Sequence, residues 1–282
     1  MLARVPASSA NLGPGFDTLA VALSLYVEVR LEPADELSIT SEGCGAGLFD
    51  DERHLAVQVA ERVLGHQRFK VHVNSEIPLS RGLGSSAALA VAAAAAASAP
   101  NPLGAGVWVD GHAENAAASL LGGLVVASGH DDDAFARRLA LDDAWRFVVV
   151  VPEEPLATVD ARRVLPDRVP FADAVSNLTS LGLLIAGLAR HQDFVASAMN
   201  DTLHQPYRST LLPFATDLLT YLREAGAAGS CWSGAGSSML ALVTNDTAAS
   251  VSAAARDYLA GRGIAGEVLE LAADTQGLVT SR

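Results

Sequence analysis

One stretch limits the fold of this chain more than any other. It is Pro78-Leu79-Ser80-Arg81-Gly82-Leu83-Gly84-Ser85-Ser86-Ala87, which runs on into a nearly unbroken alanine tract ending at Ala97. Alanine has the highest helix propensity, so the tract predicts a helix over 86–98 that opens directly after glycines and serines. The glycines let the backbone approach a polyanion, successive N–H groups point into the turn, and two hydroxyls add donors. The following helix presents the positive end of its dipole. This is a phosphate cradle without a lysine. A glycine turn with a serine N-cap explains the same residues in purely structural terms, and the turn alone does not decide between the two. A dinucleotide-binding reading is weaker, because the third glycine is missing and no clear parallel unit surrounds the turn.

Composition narrows the choice. The 282 residues carry a net charge of −13, which argues against the broad basic footprint of a nucleic-acid binder. Reading the basic residues singly gives 18 arginines and one lysine, Lys70. No Gly-Lys-[Ser/Thr] tripeptide exists, so a Walker-type loop is excluded. Lys70 lies in the alternating run Phe69–Asn74 and is expected to face solvent, which leaves Schiff-base chemistry without a residue. The apolar run from Ala87 to Ala97 is far short of a bilayer span, and no signal-peptide core follows Met1. Two cysteines, Cys44 and Cys231, make no disulfide framework. The expectation is a cytoplasmic protein with no membrane and no nucleic-acid partner.

Alternation over 23–31 predicts a strand with one buried face, and further strands are expected at 37–41, 69–74, 123–128, 145–151, 239–243 and 264–271. Helices are expected at 55–64, 172–190, 193–203, 209–225 and 247–260, with no helix between the alanine tract and His112. Strands and helices mix without regular alternation, which reads as α+β. A change of texture at Pro152-Glu-Glu-Pro155 divides the chain into 1–151 and 152–282.

Two further segments accompany the glycine-serine turn. Pro6-Ala-Ser-Ser-Ala-Asn11-Leu-Gly13-Pro-Gly15-Phe-Asp17 reads as an irregular loop ahead of the first strand, and Ser233-Gly-Ala-Gly-Ser-Ser238 as a second glycine-serine turn ahead of another. In this order the three resemble the signature motifs of the GHMP kinases, the superfamily of galactokinase, homoserine kinase, mevalonate kinase and phosphomevalonate kinase. Gly111-His112-Ala-Glu114-Asn115, Thr158-Val-Asp-Ala-Arg162 and Pro206-Tyr-Arg208 are similar to segments of the homoserine kinase branch. The resemblance covers nearly the whole chain. It implies a two-domain fold, an N-terminal ATP-binding domain with a left-handed βαβ crossover and a C-terminal ferredoxin-like domain. It also implies ATP as co-substrate, Mg²⁺, and phosphorylation of the L-homoserine hydroxyl on the way to threonine. Another small alcohol as acceptor, or a silent nucleotide-binding regulator, are the alternatives; a homodimer is an open expectation.

Residue by residue, the resemblance implies that Pro78 to Ala87 hold the ATP phosphates, with Ser86 beside Mg²⁺ and Asp110 replacing the family's metal-binding glutamate. Aspartate reaches about 1.5 Å less far than glutamate. Asn11 and Asp17 are expected at the hydroxyl and ammonium end of the amino acid, and His112, Thr158, Arg162 and Arg208 around its carboxylate. Arginine forks suit a carboxylate and a carboxylate suits an ammonium. Asn115 stands where mevalonate kinases carry a catalytic aspartate and cannot accept a proton as a carboxylate does. In-line transfer by positioning is therefore expected, with Ser86, Asn115 and Arg162 as the catalytic set. His54 replaces an asparagine near the adenine site.

Overall fold

The computed structural model describes residues 1–130 and 133–282. In the first half follow β1 (Leu2–Asn11), β2 (Gly15–Pro33), β3 (Ser38–Gly43), α1 (Leu55–Leu64), β4 (Phe69–Ser75), α2 (Ser85–Ala96), α3 (Pro102–Asp110), α4 (Glu114–Leu121), β5 (Leu124–Ser128) and β6 (Phe135–Leu139). The second half contains β7 (Trp145–Pro152), α5 (Thr158–Arg163), α6 (Phe171–Ala189), α7 (Gln205–Arg208), α8 (Ala215–Glu224), β8 (Gly229–Trp232), β9 (Met239–Thr244), α9 (Asn245–Arg262), β10 (Gly266–Leu271) and β11 (Val279–Ser281).

The first sheet runs β11-β1-β2-β4-β3, with β5 on β2 and β6 on β5. Strand β2 is long because it serves two neighbours in turn: Leu19–Val21 pair with β5 and Val27–Pro33 with β4. Its alternation buries Val27, Val29 and Leu31 as expected. Strands β3 and β4 are parallel, with α1 crossing between them. The alanine helix α2 packs among β1, β2, α1, α3 and α4 and is buried from Ala90 to Ala96. A helix enclosed on all sides needs small side chains, and alanine lets the neighbouring backbones close in.

The second sheet, ordered β10-β7-β9-β8, is antiparallel throughout. This is the strand order of a ferredoxin-like split βαβ unit, with α8 and α9 packed through Leu218, Leu222, Val251 and Ala255 onto Val148, Val150, Ala241 and Val243. The resulting whole is α+β in two layered halves. By strand pairing the second sheet begins at Trp145, ahead of the 151/152 boundary expected from the sequence, because Pro152 ends β7 instead of preceding the new unit.

Four further expectations need correction. Residues 6–17 are not an irregular loop: β1 runs to Asn11, a tight turn follows, and β2 starts at Gly15. A helix, α3, does lie between the alanine tract and His112; Asn101 accepts from the Gly104 N–H as its N-cap and Pro102 opens its first turn. The segment 193–203 forms no α-helix: it contains the end of a 3-10 turn at His191–Asp193 and a second at Ala196–Met199. The helix expected over 209–225 starts only at Ala215, as α8, after Pro213, and the short α7 lies ahead of the expected span at Gln205–Arg208.

Candidate active site

Between the two halves lies a cavity of about 530 Å³ lined by Asn11, Asp17, His54, Gly82, Gly84, Ser85, Ser86, Asp110, His112, Glu114, Asn115, Thr158, Arg162, Arg208 and Gly234, among others. That volume lies within the range of small-ligand pockets. The phosphate turn forms one wall. Gly84 is the N-cap of α2, in the left-handed region at φ +65, and no side chain caps the helix. The first-turn N–H groups, which have no intrahelical acceptors, are thus left for an anion. A Cβ on Gly84 would meet Ser8 Oγ at 2.2 Å, and one on Gly82 would meet the Ser233 carbonyl at 2.0 Å. These contacts explain why both positions require glycine. Ser233 Oγ lies 2.7 Å from the Gly82 carbonyl that accepts from it, so the third motif braces the phosphate turn from behind.

Beside the turn, Ser86 Oγ donates to Asp110 Oδ1 at 2.6 Å, joining the start of α2 to the end of α3. Burial pushes the Asp110 carboxyl upward, and the Ser86 hydroxyl pulls it only part of the way back. Among the described residues no group of three or more His, Cys, Asp or Glu side chains could hold a metal ion. A hydroxyl and a carboxylate at hydrogen-bond distance are nonetheless oxygen donors of the type Mg²⁺ takes, with phosphate oxygens and water completing its shell. Asn115 Oδ1 accepts from Ser8 Oγ at 2.9 Å, which holds the carboxamide beneath Gly84.

The opposite end is cationic. Arg162 forks onto Asp17 through Nη2–Oδ1 at 2.8 Å and Nη1–Oδ2 at 2.9 Å. Asp17 adopts φ +50, and the backbone is held there by its own N–H donating to Asn11 Oδ1 at 3.0 Å. Asn11 Nδ2 in turn donates to the Gly234 carbonyl at 2.9 Å. Arg208 is only 1% exposed and donates to the carbonyls of Gly234 and Ala161 and to His204 Nδ1. His204 Nε2 donates to the Gly13 carbonyl at 2.8 Å, which fixes the neutral tautomer with its proton on Nε2. Burial lowers the His204 pKa to about 4 and that of Arg208 to about 10, the nearby Arg162 adding to the latter shift. The ring of Phe16 lies 5.7 Å from the Arg162 guanidinium, 5.3 Å from that of Arg208 and stacked on His204, so it separates the two cations with an aromatic face. His112 approaches Glu114 Oε1 to 2.7 Å; burial alone would lower the imidazole pKa, but Glu114, Asp110 and Asp17 together raise it.

Most expected residues therefore line one cavity, whereas Pro78, Arg81, Leu83 and Ala87 of the turn segment are not among its lining. The Arg81 side chain turns away from the phosphate turn and donates to the carbonyls of Pro152, Leu79 and Glu153, tying the turn to the end of β7. Leu83 and Ala87 are buried, so they contribute backbone only. His54 is the N-cap of α1, its Nδ1 accepting from the Ala56 N–H at 3.1 Å, which is the bond an asparagine would make there. Phe16 and His204 carry the cationic end without having been singled out. The aromatic beside Asp17 and the histidine four residues before Arg208 on one helical turn were the available signals.

Comparison with known proteins gives the class of protein first. The family model for the GHMP kinases N terminal domain matches residues 54–136, and that for the GHMP kinases C terminal domain matches 174–261. The chain belongs to the GHMP kinases, and within them to the homoserine kinases. It is 36% identical to a homoserine kinase of Desulfitobacterium hafniense over 97% of each chain. A homoserine kinase of Rhodococcus erythropolis is 40% identical over 90% of this chain and 89% of its own. The crystal structure of homoserine kinase from Cytophaga hutchinsonii superposes with a TM-score of 0.85 at 27% identity, covering 99% of this chain and 96% of that one.

Proposed function

We propose that the chain transfers the γ-phosphoryl group of ATP to the hydroxyl of L-homoserine, giving O-phospho-L-homoserine and ADP, a step toward threonine. The observation that carries this reading is the convergence of Arg162, Arg208 and His112 on the end of a cavity whose other wall is a phosphate cradle. An uncharged alcohol or sugar gives two arginines no carboxylate to bind. A small amino acid does.

In this reading the first-turn N–H groups of α2 and the hydroxyls of Ser85 and Ser86 bind the phosphates. Asn115 and Gly84 fix the floor on which the acceptor approaches in line, and the arginines hold the acceptor by its carboxylate. Mg²⁺, when bound at Ser86 and Asp110, supplies positive charge against the phosphate oxygens. Phe16 and His204 are positioning residues for the arginines. A cytoplasmic setting belongs to the same reading, and so does a homodimer, for which the uncharged outer face of α6 is the support.

The test is ADP release with MgATP against L-homoserine, D-homoserine, mevalonate, galactose and no acceptor, in wild type and Arg162→Ala. Turnover with L-homoserine alone, with its KM raised at least about tenfold in the variant, is expected from the loss of a charge-assisted fork. Silence on every alcohol, with ATP still bound, would leave the reading without its reaction.

A further inference from the structure

The two ends of the cavity come from different segments, and the helix that carries Thr158 and Arg162 hangs on a thin connection. Residues 153–157 form a strap from β7 to α5, and Glu153, Glu154 and Pro155 in it are exposed. Packing supports the strap little on its outer side. A cleft of about 550 Å³ opens there, lined by Leu79, Arg81, Pro152, Glu153 and Gly266 among others.

Arg81 spans that cleft. Its Nε donates to the Pro152 carbonyl at 2.8 Å, Nη2 to the Glu153 carbonyl, and Nη1 to the Leu79 carbonyl at 2.9 Å. One planar fork thus clamps the end of β7 and the start of the strap onto the backbone of the phosphate turn. Further along, the Leu156 N–H donates to the Ser80 carbonyl at 3.3 Å, and the Ser237 hydroxyl of the third motif donates to the Glu154 carbonyl. Ser80 takes φ +56, a conformation that a non-glycine residue keeps only when its surroundings hold it. The turn and the strap therefore share one set of bonds, and the shape of either depends on the other. Ordering an exposed strap costs conformational entropy, and a ligand that orders it first lowers that cost for the next.

We propose that Arg81 is a positioning residue that couples the two ends of the cavity. Phosphate bound at the turn fixes the strap through Arg81, and the strap sets α5, with Arg162, in place for the carboxylate of the acceptor. The proposal rests on the nucleotide and amino-acid substrates proposed above. Coupling of this kind is reciprocal, so each ligand tightens the other by the same factor.

Calorimetric titration reads that factor. L-homoserine is titrated into the protein alone and into protein saturated with Mg²⁺ and a non-hydrolysable ATP analogue, and the reverse pair of titrations checks reciprocity. In wild type the nucleotide is expected to lower the Kd of L-homoserine at least about fivefold. In Arg81→Gln the factor is expected to fall to within about twofold of one, while the Kd of L-homoserine for nucleotide-free protein stays within about threefold of wild type. A variant that binds both ligands more weakly and keeps the factor would overturn the proposal, because Arg81 would then support the turn without coupling it. Should Arg81→Gln fail to fold, Arg81→Lys, whose single ammonium cannot span three carbonyls as the fork does, is read by the same factor. A wild-type protein that binds the nucleotide and no L-homoserine fails the proposed reaction, and the coupling with it. One that binds both independently fails the coupling alone.

Discussion

The arginine pair at the end of the cavity depends on a histidine that must stay neutral. His204 accepts from Arg208 through Nδ1 and donates to Gly13 through Nε2, so a proton on Nδ1 would set two donors against each other. Its pKa falls from the ordinary 6.5 to about 4 because it is buried. The unfolded chain therefore binds a proton between those two values that the native state does not. The contribution to stability is complete above about pH 6.5 and is lost progressively as the pH falls toward 4, up to about 3 kcal/mol. The expected result is a Tm that falls more steeply from pH 7 to pH 4.5 in wild type than in His204→Gln, measured by scanning calorimetry. A parallel pair of curves would show that folding does not lower the proton affinity of the ring. The sequence indicated Arg208 by its resemblance but not this partner, because the roles of His204 and Phe16 arise only when α7 is brought against the turn after β1.

At the scale of elements, α2 makes the sharpest demand. Ala93 is fully buried among strands and helices that have closed on alanine-sized side chains. Ala93→Leu adds volume where no void exists, and a loss of about 1–3 kcal/mol is expected, seen as a Tm several degrees lower. An unchanged Tm would mean that the surroundings of α2 are loosely packed. Long elements were legible, α1, α9 and the second half of β2 through burial that repeats along the sequence, and α2 through the helix propensity of alanine. Short elements were not. The nine residues of α3 contain two glycines and lie between two turn-like stretches, and Gly106 is there because a Cβ would come within 2.4 Å of Ala116 on α4. Helix packing had selected a residue that propensity reads as a breaker. In the same way Leu12 takes positive φ at the turn after β1, a conformation that its side chain does not advertise, although Asn11 beside it and Asp17 at the start of β2 are of types that tolerate it. The phosphate turn was legible because its glycines, serines and following helix are contiguous. The end proposed for the amino acid was legible only through the family, since Asp17, Glu114, Arg162 and Arg208 come from four separate segments.

The molecule as a whole is acidic, with a net charge of −13, so two copies approaching at random repel each other. One face escapes this. Helix α6 has a single charged residue, Asp173, and turns Phe171, Val175 and Leu178 outward, with Phe171 85% exposed and Leu178 66% exposed. Their spacing of four and three residues, continued by Gly182, is that of a helix seam that can pair with itself. The inner side of the same helix is anchored, Asn177 donating to the Pro14 carbonyl and Leu184 and Leu188 buried, so the outer face is presented rigidly. A self-complementary face pairs across a two-fold axis, and a second copy of this chain is the occupant that its lack of charge favours. Sedimentation velocity at tens of micromolar is expected to give a dimer for wild type and a monomer for Leu178→Glu, with turnover per chain unchanged because Leu178 points outward and does not line the cavity. A wild-type monomer at that concentration would refute the pairing. Monomeric protein that floats with phosphatidylcholine vesicles, and loses that property in the variant, would assign the face to a lipid surface.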